Sequence, residues 1–316
     1  MRVNLILLFL LAASLAACSQ NTSYSQQQAR NEKAVESLDG LKKLSARGSY
    51  SPLGDINEIR AQALQEIGLA LGAQAGLAVR ADVINHDLAQ NTKFLDKVFN
   101  FDVLILNKNV LPPVLLEGRR TLNLNDPNTI RIADRRYKIS QQARLVTVPP
   151  NWRNYLETHF ENPEIPEHSL LPKTKREKEV WDQYVTLGWE RGIEQANAVF
   201  AENLARLKED YRGMLLYRKL LALNMVTPPF VASTELGITG DGNEIFIDDQ
   251  VLRITALPQL IRDSDAWLAA VTLEDKDLNY DQVDTRMQKI ADRSGDEIDR
   301  LIAADRRWEP LIESVH

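Results

Sequence analysis

Cysteine is almost absent from this chain, since Cys18 is the one cysteine in 316 residues. No internal disulfide can form, which excludes a small domain held together by disulfides. Histidine is also scarce, at four residues, and His86 has no second histidine four positions further on, as a helical zinc site would require. We therefore expect neither a metal site nor a cofactor.

The short motifs of common catalytic sites are missing as well. The chain has no Gly-x-Ser-x-Gly, Ser-x-x-Lys, P-loop or Gly-x-Gly-x-x-Gly motif. Asp241-Gly242-Asn243, close to Asp248-Asp249, suggests a calcium loop, but the final glutamate of such a loop is missing, and turn chemistry explains these residues more simply. A pair of carboxylates is the one catalytic arrangement left open, and no spacing selects a pair. We expect no enzymatic activity.

Basic residues do not outnumber acidic ones in this chain. The net charge is −6 and the pI about 5.4, so we expect no direct binding to nucleic acid, which needs a basic face. The densest basic run, Lys173 to Lys178, is interleaved with acid and is typical of the solvated first turns of a helix; a docking patch is the alternative. With 44% hydrophobic and 26% charged residues, the body has the composition of a globular protein, and no run after Leu15 looks long enough to span a bilayer.

The N-terminus has the pattern of a bacterial lipoprotein signal. Met1-Arg2 is followed by an apolar run of about 13 residues, shorter than the roughly 20 of a transmembrane helix, and then by Leu15-Ala16-Ala17-Cys18. This last stretch resembles the lipobox, in which the cysteine thiol is acylated. We predict a signal peptide at 1–17, lipidation of Cys18 and a flexible tether over 18–54. An ordinary signal peptide with an incidental cysteine is the alternative.

Ser19 bears on the destination of such a lipoprotein. Lipoproteins kept in the inner membrane typically carry aspartate at this position, so Ser19 favours the periplasmic face of the outer membrane. Several buried acyl chains anchor a protein stably without any protein span.

The remaining chain predicts an α+β fold that is predominantly helical. Apolar residues recur at helical spacing, and two Pro-Pro pairs, Pro112-Pro113 and Pro228-Pro229, stop the helices that precede them. A β-hairpin region is expected after each break. The predicted helices are 55–90, 92–108 and 174–226; the predicted strands are 129–132, 137–139 (or onward to 148), 244–247 and 251–254; the body is 55–262 and the charged helical tail 263–316.

The two halves of the body look like one unit used twice, with repeats at 55–148 and 174–260. At an offset of 116, Gly72 falls on Gly188, Gly76 on Gly192 and Pro112-Pro113 on Pro228-Pro229, with nine identities in 42 ungapped positions. Chance combined with shared secondary structure is the alternative. Gly68, Gly72 and Gly76 clear one helix face, which indicates close approach of another backbone, and the matching helix of the same chain is the expected partner.

Several long blocks, in the right order, resemble the DotC family. DotC is the outer-membrane lipoprotein of type IVB secretion systems, with counterparts in the conjugation apparatus of I-type plasmids. The resemblance covers about 55 to 260 together with the lipobox. The blocks are Gly72–Leu77, Leu111–Arg119, Leu170–Lys175, and Pro228 through Gly240-Asp241-Gly242 to Leu252–Pro258.

The resemblance implies a structural component of the secretion core complex. It would act with a DotD-like lipoprotein and help to bring a DotH-like component to the outer membrane, in a multi-copy ring assembly for transfer of effectors or DNA. Cys18 is the one functional residue carried over, and the family supplies no catalytic residues. An independent periplasmic lipoprotein, such as a cell-wall hydrolase or an envelope chaperone, is the alternative.

Overall fold

The computed structural model describes residues 34–46, 56–126, 129–268 and 280–291. The predicted signal peptide, the lipidation site at Cys18 and most of the predicted tether lie outside these residues. The described part is a helix-rich α+β protein, as predicted, with strands in small antiparallel pairs.

Six helices lie wholly within the described part of the chain, and two of them are long. Their bounds are α1 Leu38–Lys42, α2 Glu58–Gln90, α3 Thr92–Val98, α4 Arg153–Leu156, α5 Lys175–Ala222 and α6 Tyr280–Ala291. Thr174 starts α5, because its hydroxyl accepts a hydrogen bond from the Glu177 amide at 3.2 Å. The predicted break between α2 and α3 is confirmed. The predicted helix over 92–108 is too long, since α3 ends at Val98 and single 3₁₀ turns follow at Asp102–Leu104 and Asn107–Asn109.

Both hairpins follow directly on a Pro-Pro break, as predicted, but their strands were assigned wrongly. The first hairpin pairs β2 (Val114–Asp126) with β3 (Thr129–Gln141), and the second pairs β5 (Phe230–Gly240) with β6 (Ile245–Ala256). The two strands predicted in each hairpin region are parts of one continuous strand, β3 or β6. Their true partners, β2 and β5, were missed. A short pair, β1 (Val110–Leu111) with β4 (Arg144–Leu145), completes the strands.

The described chain divides into two compact units, and unit 1 comprises residues up to Asp87, Thr158–Phe200 and Arg286 onward. Its core packs α2 against the first half of α5 around Trp181, Val185 and Trp189. Residues of the predicted tether belong to this core, because Val35, Leu41 and Leu44 are buried in it. Trp181 also donates its indole N–H to the Leu41 carbonyl at 3.0 Å. The expectation of a flexible segment is therefore wrong for this stretch.

The glycine contacts between the two long helices of unit 1 recur at the offset of 116 between the halves. A Cβ on Gly72 would lie 2.9 Å from the Trp189 amide nitrogen, and a Cβ on Gly188 would lie 2.9 Å from the Ala73 amide nitrogen. Ala73 and Trp189 are themselves 116 positions apart, so the two contacts are equivalent. Gly76 and Gly192 repeat the relation against the same two residues. The glycines let α2 and α5 approach at backbone distance, as predicted.

Unit 2, which comprises Leu88–Glu157 and Ala201–Thr285, repeats the offset in its buried positions. Lys108 and Asn224 both have a left-handed backbone, with φ of 62° and 56°. Equivalent positions are buried in both halves, namely Leu95 and Tyr211, Phe101 and Tyr217, Leu104 and Leu220, and Val110 and Val226. The halves differ where α5 runs unbroken and the first half breaks into α3 and 3₁₀ turns.

Helix α2 is long and apolar enough, by length and composition alone, to cross a membrane, contrary to the expectation that no such run follows Leu15. The core helix of a globular protein passes the same test. Most of the apolar stretch is buried inside the protein, where Leu64, Leu71 and Ala75 belong to the core of unit 1. Its apolar composition is therefore accounted for by packing against α5.

Candidate functional site

The second hairpin is a long two-stranded ribbon that begins at the Pro-Pro break and ends in a tight turn. The Asp241 carboxylate accepts hydrogen bonds from the Asn243 amide at 2.7 Å and the Glu244 amide at 3.1 Å, which closes the turn. These two bonds hold the pKa of Asp241 below its usual range. Gly240 is required beside it, because its φ of 138° lies where side chains rarely fit. The predicted turn is confirmed.

A bulge re-aims the side chains midway along this ribbon. The pairing register shifts between Gly237↔Asp249 and Thr239↔Phe246, and Asp248 adopts a φ of 58°. Thr239 donates its hydroxyl to the Asp249 carboxylate at 2.6 Å beside the shift. The Asp248-Asp249 turn expected from the sequence is thus a bulge within β6, and it increases the local twist of the ribbon.

No residue of β5 or β6 is buried. An isolated two-stranded hairpin is only marginally stable in water, because it lacks a second layer on which to bury apolar side chains. This ribbon nevertheless presents Phe230, Leu236, Ile238, Ile245, Phe246, Ile247 and Val251 to solvent, with Ile238 and Ile247 each 73% exposed. Clustered exposed apolar side chains of this kind mark interaction surfaces.

The first hairpin is buried at its root and exposed beyond it. Val114 and Leu115 are buried, and a Cβ on Gly213 of α5 would lie 2.9 Å from the Leu115 backbone, so β2 starts in close contact with the helix. Leu122, Ile130 and Ile132 are instead 66%, 59% and 71% exposed. The part beyond the root is therefore a second exposed ribbon.

The two hairpins carry opposite charge. Residues 114–141 contain six basic and three acidic side chains, a net of +3, and residues 230–256 contain one basic and five acidic side chains, a net of −4. We call them the basic hairpin and the acidic hairpin. The basic side chains Arg119, Arg120, Arg131, Arg135, Arg136 and Lys138 are all exposed, and so are the acidic Glu235, Asp241, Glu244 and Asp248.

A polar network elsewhere in unit 2 links secondary-structure elements to one another. Asp210 accepts hydrogen bonds from the Tyr155 hydroxyl at 2.9 Å and from the Gln141 side-chain amide at 2.9 Å. Burial, with the Asp210 carboxylate close by, raises the pKa of the Tyr155 hydroxyl, so the tyrosine stays protonated as a donor. This network joins β3, α4 and α5, and no feature of the sequence pointed to it.

The described residues contain no group of three or more His, Cys, Asp or Glu side chains that could hold a metal ion. His86, His159 and His168 are exposed and are not brought together in any such group. A cleft of about 530 Å³ in unit 1 is lined by Ile56, Arg176, Glu179 and Val180. Arg176 belongs to the basic run that was predicted to form the first turns of a helix, Glu179 follows that run, and the run does lead into α5.

The fold and these surfaces define a class of protein: a helix-rich α+β body, built on a pseudo-symmetric helix pair, that displays two exposed ribbons of opposite charge. Residues 58–269, about two thirds of the chain, match the family described as type IV secretory system, conjugal DNA-protein transfer, and the chain belongs to that family. The match contains both long helices and both hairpins. No curated protein matches the chain.

Proposed function

We propose that this protein is a structural lipoprotein of the DotC type, in the outer-membrane core complex of a type IVB secretion or conjugation system. Its family places it in conjugal DNA-protein transfer. The lipobox ending at Cys18 and the sequence blocks from about 55 to 260 support the finer assignment.

The exposed acidic hairpin is the observation that carries a scaffold role. A ribbon whose strands are 11 and 12 residues long, with no buried position and several exposed isoleucines, has edges and faces that a partner can cover. Strand addition to such an edge is a common mode of protein recognition, and its backbone hydrogen bonds need no catalytic residue. The protein on this proposal assembles other components and needs neither metal nor cofactor.

The proposed partners are a DotD-like lipoprotein and a DotH-like outer-membrane component. Acyl chains on Cys18 hold the body at the periplasmic face of the outer membrane, and the multi-copy ring gathers there. The cargo moves through the assembled ring, so this chain does not itself contact DNA.

The test compares the native protein with Cys18→Ser in its host by membrane fractionation, affinity pull-down and a transfer assay. We expect the native form in the outer membrane together with at least two other secretion proteins. The serine variant cannot be acylated, so it should leave that membrane and fail to support transfer. Ser19→Ala is the matched control, because it changes the neighbouring hydroxyl and keeps the thiol.

The alternative, a cell-wall hydrolase or envelope chaperone, makes the opposite prediction. Such a protein would sit in the outer membrane without secretion partners, and its deletion would leave transfer unchanged. A hydrolase would in addition lose activity on replacement of one carboxylate, whereas a scaffold tolerates most single changes of exposed acids. Unchanged transfer after deletion would overturn the proposal.

A further inference from the structure

We infer that copies of this chain associate head to tail, the basic hairpin of one copy binding the acidic hairpin of the next. This inference rests on the proposed function only in so far as the complex contains several copies. It assigns a partner to two surfaces that the fold leaves exposed.

Charge selects the partner of each hairpin. A net of +3 on residues 114–141 faces a net of −4 on residues 230–256 when two different hairpins meet. Two acidic hairpins, or two basic ones, would bring like charges together, which disfavours the symmetric pairing of identical surfaces. Complementary surfaces therefore favour contact between unlike hairpins.

Apolar side chains give the same contact a dry centre. Leu122, Ile130 and Ile132 are exposed on the basic hairpin, and Ile238, Ile245 and Ile247 are exposed on the acidic hairpin. Each hairpin has two strands, so every strand has an edge at which backbone groups can pair with a further strand. Joining two ribbons would cover both sets of side chains, which neither ribbon buries alone.

Head-to-tail pairing uses a different hairpin for each neighbouring copy, so the contact is heterologous. Each copy keeps one free hairpin after pairing, so assembly continues until the rotation closes a ring. A two-fold dimer, in which the basic and acidic hairpins of two copies pair reciprocally, would instead use all four hairpins and stop at two copies. Head-to-tail pairing of the hairpins therefore supplies a physical route to a multi-copy assembly.

The test uses charge reversal on the full chain, purified in detergent, with association followed by sedimentation velocity. One variant replaces Arg131, Arg135 and Arg136 with Glu, which takes the basic hairpin from +3 to −3. The other replaces Glu235, Glu244 and Asp248 with Lys, which takes the acidic hairpin from −4 to +2. Each variant then carries two hairpins of like charge, and its association constant should fall about tenfold or more at physiological salt.

An equal mixture of the two variants is the decisive sample. The reversed hairpin of each variant complements the reversed hairpin of the other, and their unchanged hairpins also complement each other. Association in the mixture should return to within about threefold of the native value and weaken as salt is added. Loss of folding alone would not be repaired by mixing.

Reversal of three exposed cations that belong to neither hairpin is the control for net charge. Lys173→Glu, Lys175→Glu and Arg191→Glu together change the charge by the same amount as the arginine variant, and these side chains are exposed. This control should associate as the native chain does. Equal weakening in the control, a mixture that stays dissociated, or a native chain that remains monomeric at micromolar concentration would each overturn the inference.

Failure of this inference and failure of the proposed function are distinguishable. A native chain that fails to self-associate but still recovers other secretion proteins from the outer membrane would leave the proposed function standing, with those proteins as partners of the hairpins. A chain that self-associates through its hairpins, but whose deletion has no effect on transfer, would leave the self-association inference standing and overturn the proposed function.

Discussion

Glycine decides how closely the two long helices approach. A side chain at Gly72 or Gly188 would meet backbone, which cannot move aside as the end of a flexible side chain can. Gly68 lies on the same face of α2, but a Cβ there would be 3.4 Å from a Val185 methyl group, an ordinary van der Waals distance. The three glycines therefore share a spacing and differ in what their replacement costs.

Alanine substitution should distinguish the glycines that are needed for close backbone contact from Gly68, which shares only their spacing along the helix. Gly72→Ala and Gly188→Ala should each destabilise the protein by about 1–3 kcal/mol, because the packed helices must shift to admit a methyl group. Gly68→Ala should be neutral or stabilising by up to about 1 kcal/mol, since alanine is the better helix former. Urea unfolding measures all three. Equal losses at Gly68 and Gly72 would contradict the geometry.

Asp241 should titrate below its ordinary value. Its carboxylate accepts two backbone hydrogen bonds in the turn of the acidic hairpin, so the folded pKa is lower than the ordinary 3.8. The stabilisation is therefore present above that ordinary value and is lost as the pH falls through the lowered one. NMR titration of the carboxyl carbon should give a midpoint below 3.8. Asp241→Asn keeps an acceptor oxygen, and its turn should show no such acid transition.

Individual elements show which patterns in the sequence are reliable. Helical spacing continued over many turns located α2 and α5, and each Pro-Pro pair marked the start of a hairpin. The charged stretches Asp134-Arg135-Arg136 and Asp248-Asp249 fall between the predicted strands, although both lie within continuous strands. A strand exposed on both faces gains nothing from alternation of polar and apolar residues, so its pattern is weak and its bounds and partner are easily misassigned.

The part of helix α6 that belongs to unit 1, from Arg286 onward, is held by a buried cation. Arg80 is 0% exposed and donates hydrogen bonds to the Asn197 side-chain oxygen at 2.7 Å and to the Ile290 carbonyl at 2.5 Å. Met287 and Ile290 are buried on the same helix. The predicted tail was expected to be helical from 263, but the described residues 263–268 contain only the 3₁₀ turn Ser264–Ala266. The described residues 280–291 form a helix, as expected, which is packed through these residues.

Replacing Arg80 should release this helix. Arg80→Leu leaves the Ile290 carbonyl without this donor, at a cost of about 1–3 kcal/mol. Hydrogen exchange of the amides in 280–291 should then become roughly tenfold faster or more, because local opening becomes easier. Arg191→Leu, at an exposed position of α5, is the control and should leave exchange unchanged. Unaltered protection in the Arg80 variant would show that apolar packing alone holds α6.

At the scale of the whole molecule, exposed apolar residues on the hairpins contribute little to the stability of the single chain and are expected to matter for assembly. Ile238 and Ile247 are each 73% exposed, so they add little to the folded state of the single chain. They lie on the acidic hairpin, which the proposed assembly covers. Their replacement should therefore affect the complex and spare the body.

Ile238→Asp with Ile247→Asp should leave the melting temperature within about 2 °C of the native value, as expected for exposed positions. Co-purification of secretion partners and transfer in the host should both be lost. Ile59→Asp is the matched control, since Ile59 is 77% exposed on α2 and belongs to neither hairpin. If the variant stays folded and supports normal transfer, the acidic hairpin takes no part in the assembly and the prediction is wrong.

The sequence by itself determined the helix-rich α+β class, the long helices, the Pro-Pro breaks and the offset of 116 between the halves. These features depend on local spacing and backbone chemistry, which neighbouring residues decide. The tertiary structure alone decided which strand pairs with which, how Val35 and Leu41 join the core, and that two ribbons of opposite charge remain exposed. Strand pairing and burial depend on residues distant in the chain, so no local pattern records them.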